Sequence, residues 1–335
     1  MWESIGSLLH GKSVDDNEVN RVRDLIIFEG SELKNKLVKF FVLLILAAGI
    51  ATYGLLGDSV AVIIGAMIIA PLMLPIMGLA FSISAGDSVG IKNSLLLSLG
   101  GIVAAIAVGF FLTLPINQIF QVENIGQIMV RTSPRLLDLL AALVTGFAGA
   151  FAMSRSDVSD TLPGVAIAIS LVPPLANVGI LIATFNYSLA IGSLLLFITN
   201  FLAIVITGAI LFGIMGFSNA TVLKRSLNAK RNGIAIVLIS VVFVTLPLGY
   251  TGYNIFVDNS ITQTVNEASV TWLSGSGYDL VSVDAQTQDN AVIVRIIGNG
   301  KLPPLEKLQE MVKGKINGRT IKIDVVYSNT YTLNS

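Results

Sequence analysis

The residues best placed to do chemistry in this chain are neutral ones set in long apolar runs: Gly65, Pro71, Pro75, Ser170, Pro173, Pro174, Asn177, Thr199 and Asn200. A proline inside a helix has no amide hydrogen to donate and clashes with the carbonyl four residues earlier. It also pushes the preceding residue out of helical geometry. In hydrocarbon, each backbone group left without a partner costs several kcal/mol, so the freed groups must face protein, water or a ligand. The segments Gly65–Gly78 and Leu162–Gly179 each carry such a break, as Ala70-Pro71-Leu72 in one and Pro173-Pro174-Leu175 in the other. Breaks at corresponding places point to half-helix ends that present amides or carbonyls to a small solute or ion. The competing reading is that the prolines only kink packed helices. The amides Asn177 and Asn200, with Ser170 and Thr199, could bind a permeant species or hydrogen-bond neighbouring helices to one another.

Other chemistry lacks its residues. There is no cysteine, so thiolate metal sites, disulfides and cysteine nucleophiles are excluded, and the single histidine, His10, lies outside the apolar region. Asp58, Asp87, Asp138, Arg155, Asp157 and Asp160 fall at the ends of apolar runs or between them, which argues against a proton relay of buried carboxylates. No nucleophile constellation, metal-ligand cluster or phosphate loop is present, so neither an enzyme nor a bound cofactor or metal is expected.

These residues need elements to hold them, and the composition names the solvent. Of 335 residues, 53% are hydrophobic and 13% charged, about half the charged share of an ordinary soluble domain. The 21 basic and 21 acidic residues cancel, which leaves no field to attract nucleic acid. A helix crossing the roughly 30 Å hydrocarbon core needs about 20 apolar residues. Seven runs meet that need: Leu37–Leu56, Ser59–Ile83, Ser94–Ile116, Leu136–Met153, Leu162–Thr184, Ser188–Met215 and Gly233–Tyr250. With the N-terminus inside, eleven Lys and Arg residues lie on the cytoplasmic side, against Arg131 and Arg135 in the three loops opposite. The positive-inside rule therefore places the N-terminus in the cytoplasm and residues 255–335 outside it.

Spans one to three (37–116) and four to six (136–215) resemble each other. Ser94-Leu95-Leu96-Leu97 overlays Ser193-Leu194-Leu195-Leu196, with Ala104 over Ala203, Gly109 over Gly208 and Leu112 over Leu211. Three is odd, so successive three-span units must be inverted relative to one another across the bilayer. Small residues such as Gly101, Gly146, Gly149, Gly208 and Gly213 are read as sites of close helix approach. The expected fold is an all-α polytopic membrane protein of about seven spans, a 3+3 inverted repeat plus one (233–250), with a small C-terminal α+β (β-β-α-β) soluble domain.

Residues 1–36 mix both charges with Val19, Val22, Leu25, Ile26 and Leu33 at helical spacing, which predicts an amphipathic surface helix leaning on the membrane. After Tyr250 the chain turns polar. Leu280–Ala285 and Ala291–Ile297 alternate like strands around a turn at Gln288–Asn290, Pro303-Pro304 opens a helix reaching Ile316 with Gly318 near its stop, and Thr320–Tyr327 reads as a last strand.

Three ordered stretches, Ser59–Gly78, Arg131–Asp138 and Leu162–Asn177, closely resemble the bacterial and archaeal "uncharacterised hydrophobic domain" family, also called domain of unknown function 389. The resemblance runs over about Ser31 to Met215. Where the family's first motif has a glycine before its second proline, this chain has Leu74. The resemblance implies a membrane domain and supplies no chemistry. The residues thus predict a multi-pass plasma-membrane protein, a transporter or channel-like path for a small solute or ion, with the lipid bilayer as its medium and other copies of itself as partners. A membrane-anchored sensor or scaffold, with the C-terminal domain as its binding part, is the alternative.

Overall fold

The structure, a computed structural model, describes residues 14–119, 121–155, 171–217, 249, 253–254, 257–286 and 290–327. They belong to two compact units that divide between Leu248 and Gly249.

The first unit is helical. Helix α1 spans Asp16–Ile26, and the Asp15 carboxylate caps it by accepting from the Glu18 amide at 2.9 Å. Helix α2 is Leu33–Leu56, α3 is Val60–Ile69 and α4 is Met73–Ala85, ending at Gly86 with φ 73°. A left-handed residue there ends the helix without the steric penalty a side chain would bring. Helix α5, Ser88–Thr113, is capped by Asp87, whose Oδ1 accepts from the amides of Val89 and Gly90, each at 3.1 Å. After short 3-10 turns and α6 (Gly126–Met129), α7 runs over Leu136–Ser154, α8 over Val172–Ala183 and α9 over Tyr187–Ile214.

By length and composition, α2, α5 with its 3-10 extension, α7 and α9 can each cross a membrane. The α3–α4 pair makes a fifth crossing if its two halves count as one. Their outward surfaces agree with that solvent. Val38, Leu46, Val103, Phe111, Leu137 and Val144 are each more than half exposed, a density of bare apolar side chains that water does not tolerate. The expected seventh span, Gly233–Tyr250, apart from Gly249, and residues 162–170 of the expected fifth lie outside the described residues.

Helix α9 packs along α7 and α4, α8 packs along α5, α9 and α2, and α2 packs along α3 and α5. Direction sorts the helix ends into two groups. At one end, the Arg23 guanidinium meets Asp87 between α4 and α5, the Lys36 amine donates to the Asp24 carbonyl as α2 begins, and Ser154 Oγ reaches Met215 Sδ where α7 and α9 finish. At the other, the Gln127 amide donates to Asp58 Oδ1 at 2.7 Å, and Asn117 Nδ2 donates to the Ala183 carbonyl at 3.1 Å. Helices α2 and α5 thus run away from the α1 end, while α7 and α9 run toward it.

One sequence expectation changes here. The amphipathic helix exists, but its apolar face does not lie on lipid. Val19, Val22 and Ile26 are wholly buried in the core shared with α4 and α7. The sequence periodicity identifies the buried face and is silent on what covers it.

In the second unit, residues 257–273 form helix α10, followed by β1 (Tyr278–Gln286), β2 (Ala291–Gly298), α11 (Leu305–Val312) and β3 (Thr320–Tyr327). The sheet order is β1-β2-β3. The first pair is antiparallel, with an irregularity at Leu280/Ser282, and the second is parallel with α11 as the crossover. The β-β-α-β reading holds, with two corrections. Helix α11 stops at Val312 rather than near Ile316, because Gly314 takes φ 76° and the chain turns there. Helix α10 was not anticipated, although Ile261, Val265, Ala268 and Trp272 are spaced for one face and are all buried.

Trp272 anchors that core: it is 2% exposed, and its indole Nε1 donates to the Pro304 carbonyl at 3.0 Å. Trp272→Ala is expected to destabilise this unit by about 3–5 kcal/mol through the cavity and the lost donor. Limited proteolysis of the full chain should then cut within residues 257–327 at urea concentrations that leave the natural protein intact.

Candidate functional site

The two proline segments are built alike in the residues described. Helix α3 ends at Ile69, Ala70 turns extended (φ −67°, ψ 123°), and α4 starts at Met73 at an angle of 53° to α3. Pro71 stands in the break and Pro75 in the first turn of α4. Pro173 and Pro174 stand in the first turn of α8, which starts at Val172. Amides in a first turn have no helical acceptor, so a proline there forfeits no hydrogen bond, and its fixed φ suits a helix start. The four prolines therefore begin helices or separate them, rather than kinking continuous ones. Both new helices are buried nearly all round, and they share α5 and α9 as neighbours.

Asn177 is wholly buried on α8. Its Nδ2 donates to the Ile128 carbonyl of α6 at 3.1 Å and to Ser193 Oγ of α9 at 3.0 Å, and Ser193 Oγ in turn donates to the Pro174 carbonyl at 3.2 Å. Asn177 Oδ1 has no hydrogen-bond partner among the described residues. Both amide hydrogens are thus committed to protein, and the one open capacity is an acceptor that would take a donor such as water or a cation. The geometry supports the helix-linking role of Asn177 directly, since it joins three segments.

The other expected site residues are not drawn into this cluster. Thr199 and Asn200 are buried on α9, 5% and 2% exposed, roughly two turns beyond Ser193. Gly65 lies half-buried in α3, where a Cβ would meet nothing within 4 Å, so its lack of a side chain answers to no close neighbour in this structure. Ser170 lies outside the described residues. Two clefts of about 620 and 380 Å³ open sideways on the outer surface of α5, the larger between Gly49 and Leu112 and the smaller beside Ile182. Both are lined almost wholly by apolar side chains, and neither includes an expected path residue.

Ser193 was missed, though its signal was present, because it is the position that overlays Ser94 between the repeats. Ser94 Oγ lies against Gly78 of α4, where a Cβ would come within 2.6 Å of it. Each serine of the pair therefore touches the proline-started helix of its own half. Ile128, the third partner, carried no signal, since a backbone carbonyl is independent of residue type.

Taken together these features define a bundle of apolar helices fit for a bilayer, with one interrupted pair and a buried polar link. Residues 67–206, from the end of α3 to the last turns of α9, match the family model described as Domain of unknown function (DUF389). The chain is also 29% identical, over 229 residues, to an uncharacterised protein of Methanocaldococcus jannaschii, covering 67% of this chain and 69% of that one. No solved structure matches. The family match begins in the last turn of α3 and leaves α1, α2 and the C-terminal unit outside it.

Proposed function

We propose that the membrane unit is a transporter or channel-like path for a small solute or ion, with the proline-started helices α4 and α8 beside the path. The observation that carries this reading is the α3–α4 interruption, matched by the start of α8 at Val172 within the fifth apolar run. Helix directions support the inverted repeat: α2 and α5 leave the α1 end, and α7 and α9, their counterparts by sequence, return to it. Contacts support it as well, because α4 packs on α9 as α8 packs on α5, each across to the other half. The basic residues at the α1 end favour a cytoplasmic N-terminus in the plasma membrane, and Gly233–Tyr250 as a seventh span would carry the C-terminal unit outside. The chain acts without catalysis and self-associates.

The test is flux through vesicles holding the purified full chain, with imposed gradients of potassium, chloride and urea. At least one gradient is expected to collapse faster than in protein-free vesicles. Pro71→Leu with Pro75→Leu, which lets α3 run on into α4, should remove the flux while leaving elution of the protein unchanged. If no gradient collapses faster, the sensor or scaffold reading replaces this one. That reading draws on the separate core of residues 249–335, and ligand binding by this unit would then be measured.

A further inference from the structure

Helix α1 reaches two parts of the bundle with two arginines set two positions apart. Arg21 Nη2 donates to the carbonyls of Met153 and Ser154 at 3.3 and 2.9 Å, while its Nε holds Glu18 at 2.8 Å. Those carbonyls end α7, where they lack helical partners and carry the negative pole of the helix dipole. Arg23 turns the other way, to Asp87 Oδ2 at 3.3 Å and Glu29 Oε1 at 2.9 Å. Asp87 is the residue that caps α5, so this pair grips the corner between α4 and α5. Between the two arginines, Val22 has no exposed surface. At the end of α1, the Ile26 carbonyl sits so close to α4 that a Cβ on Gly78 would come within 2.7 Å of it.

The corner belongs to the first three-helix set (37–116) and the end of α7 to the second (136–215). We propose that α1 is a latch that ties the two sets together at this end and restrains their movement relative to one another. The inference rests on the transport reading for what the latch would hold shut, but its test needs no flux. The ties are few, exposed enough for the arginines to exchange with water, and borne by an 11-residue helix too short to be stable once undocked.

The chain has no native cysteine, so single cysteines report without background. Val22→Cys in the full chain should react slowly with a membrane-impermeant maleimide. Adding Arg21→Ala and Arg23→Ala should raise that rate about tenfold or more, the change expected when charge-assisted hydrogen bonds are lost. Gly78→Ala should do the same by a different route, since its methyl meets the Ile26 carbonyl, which is backbone and must shift, and Ser94 Oγ, which can rotate away, and it touches no charge. Ala142→Cys, buried inside α7, should stay protected in both. Spin labels at Lys92→Cys on α5 and Ile210→Cys on α9, both exposed, should give a broader distance distribution in the released variants. The latch is overturned if Val22→Cys stays protected in both variants, or if both expose Ala142→Cys as well. It is also overturned if α1 releases and the distance between the two sets does not change. A release with broadening, in vesicles that pass no solute, would leave the latch standing and remove only the transport reading.

Discussion

Valine at position 179 is expected to break the membrane unit apart. A Cβ on Gly179 would stand 2.3 Å from the Ile106 carbonyl oxygen, 2.5 Å from the Phe110 amide nitrogen and 2.8 Å from the Gly109 carbonyl carbon. From the opposite side, a Cβ on Gly109 would stand 2.4 Å from the Ala176 carbonyl oxygen. All of these neighbours are backbone, so no rotamer change relieves the overlap and α5 and α8 would have to separate. Overpacking that side chains can absorb costs about 1–3 kcal/mol. Gly179→Val should reach or exceed the top of that range, seen as loss of the monodisperse elution peak or a large drop in Tm. Gly65→Val is the control, because open space surrounds it, and it should change stability by no more than about 0.5 kcal/mol. Equal melting of Gly179→Val and the natural protein would mean that α5 and α8 do not cross at these glycines.

The same pair of residues shows what could be read from the sequence and what could not. Gly109 stood out because it overlays Gly208, and the structure puts both at crossings onto proline-started helices: Gly109 on α8, and Gly208 against Met77 and Ala80 of α4. Gly179 was visible only as the end of a quoted motif, since a glycine in an apolar run does not announce which backbone will approach it. The prolines were legible as interruptions, but their role as helix starts depends on where the preceding helix ends, which tertiary contacts decide. Helix α10 was hidden by its own composition, rich in Thr, Val, Ser and Asn, which propensity alone assigns weakly to helix. Its buried face kept the spacing nonetheless. Helix α1 was visible as a helix with one apolar face, and its partners were not, because lipid and protein ask for the same face. Arginines 21 and 23 could be counted as cytoplasmic charges, whereas their opposite destinations follow from a helix in which residues two apart point about 200° from each other.

The polar link at Asn177 gives the sharpest test of whether water enters the middle of this bundle. Asn177→Asp keeps the shape and replaces the amide by a carboxyl beside the Ile128 carbonyl and Ser193 Oγ, at a position with no solvent exposure. Burial without a counter-charge makes a carboxylate costly there, whereas the neutral acid keeps the amide's shape, so stability should fall as pH rises. Between pH 5 and pH 7 a dry site should cost the variant about 2–3 kcal/mol relative to Asn177→Ala. Melting both variants across that range makes the comparison, with Asn177→Ala removing the contribution of every other titrating group. A steep fall would show a dry site, where Asn177 serves to join α6, α8 and α9 and any path must run elsewhere along α4 and α8. A flat difference would mean that the carboxylate at 177 is hydrated inside the bundle, and continuous water at that depth is what a route for a polar solute requires.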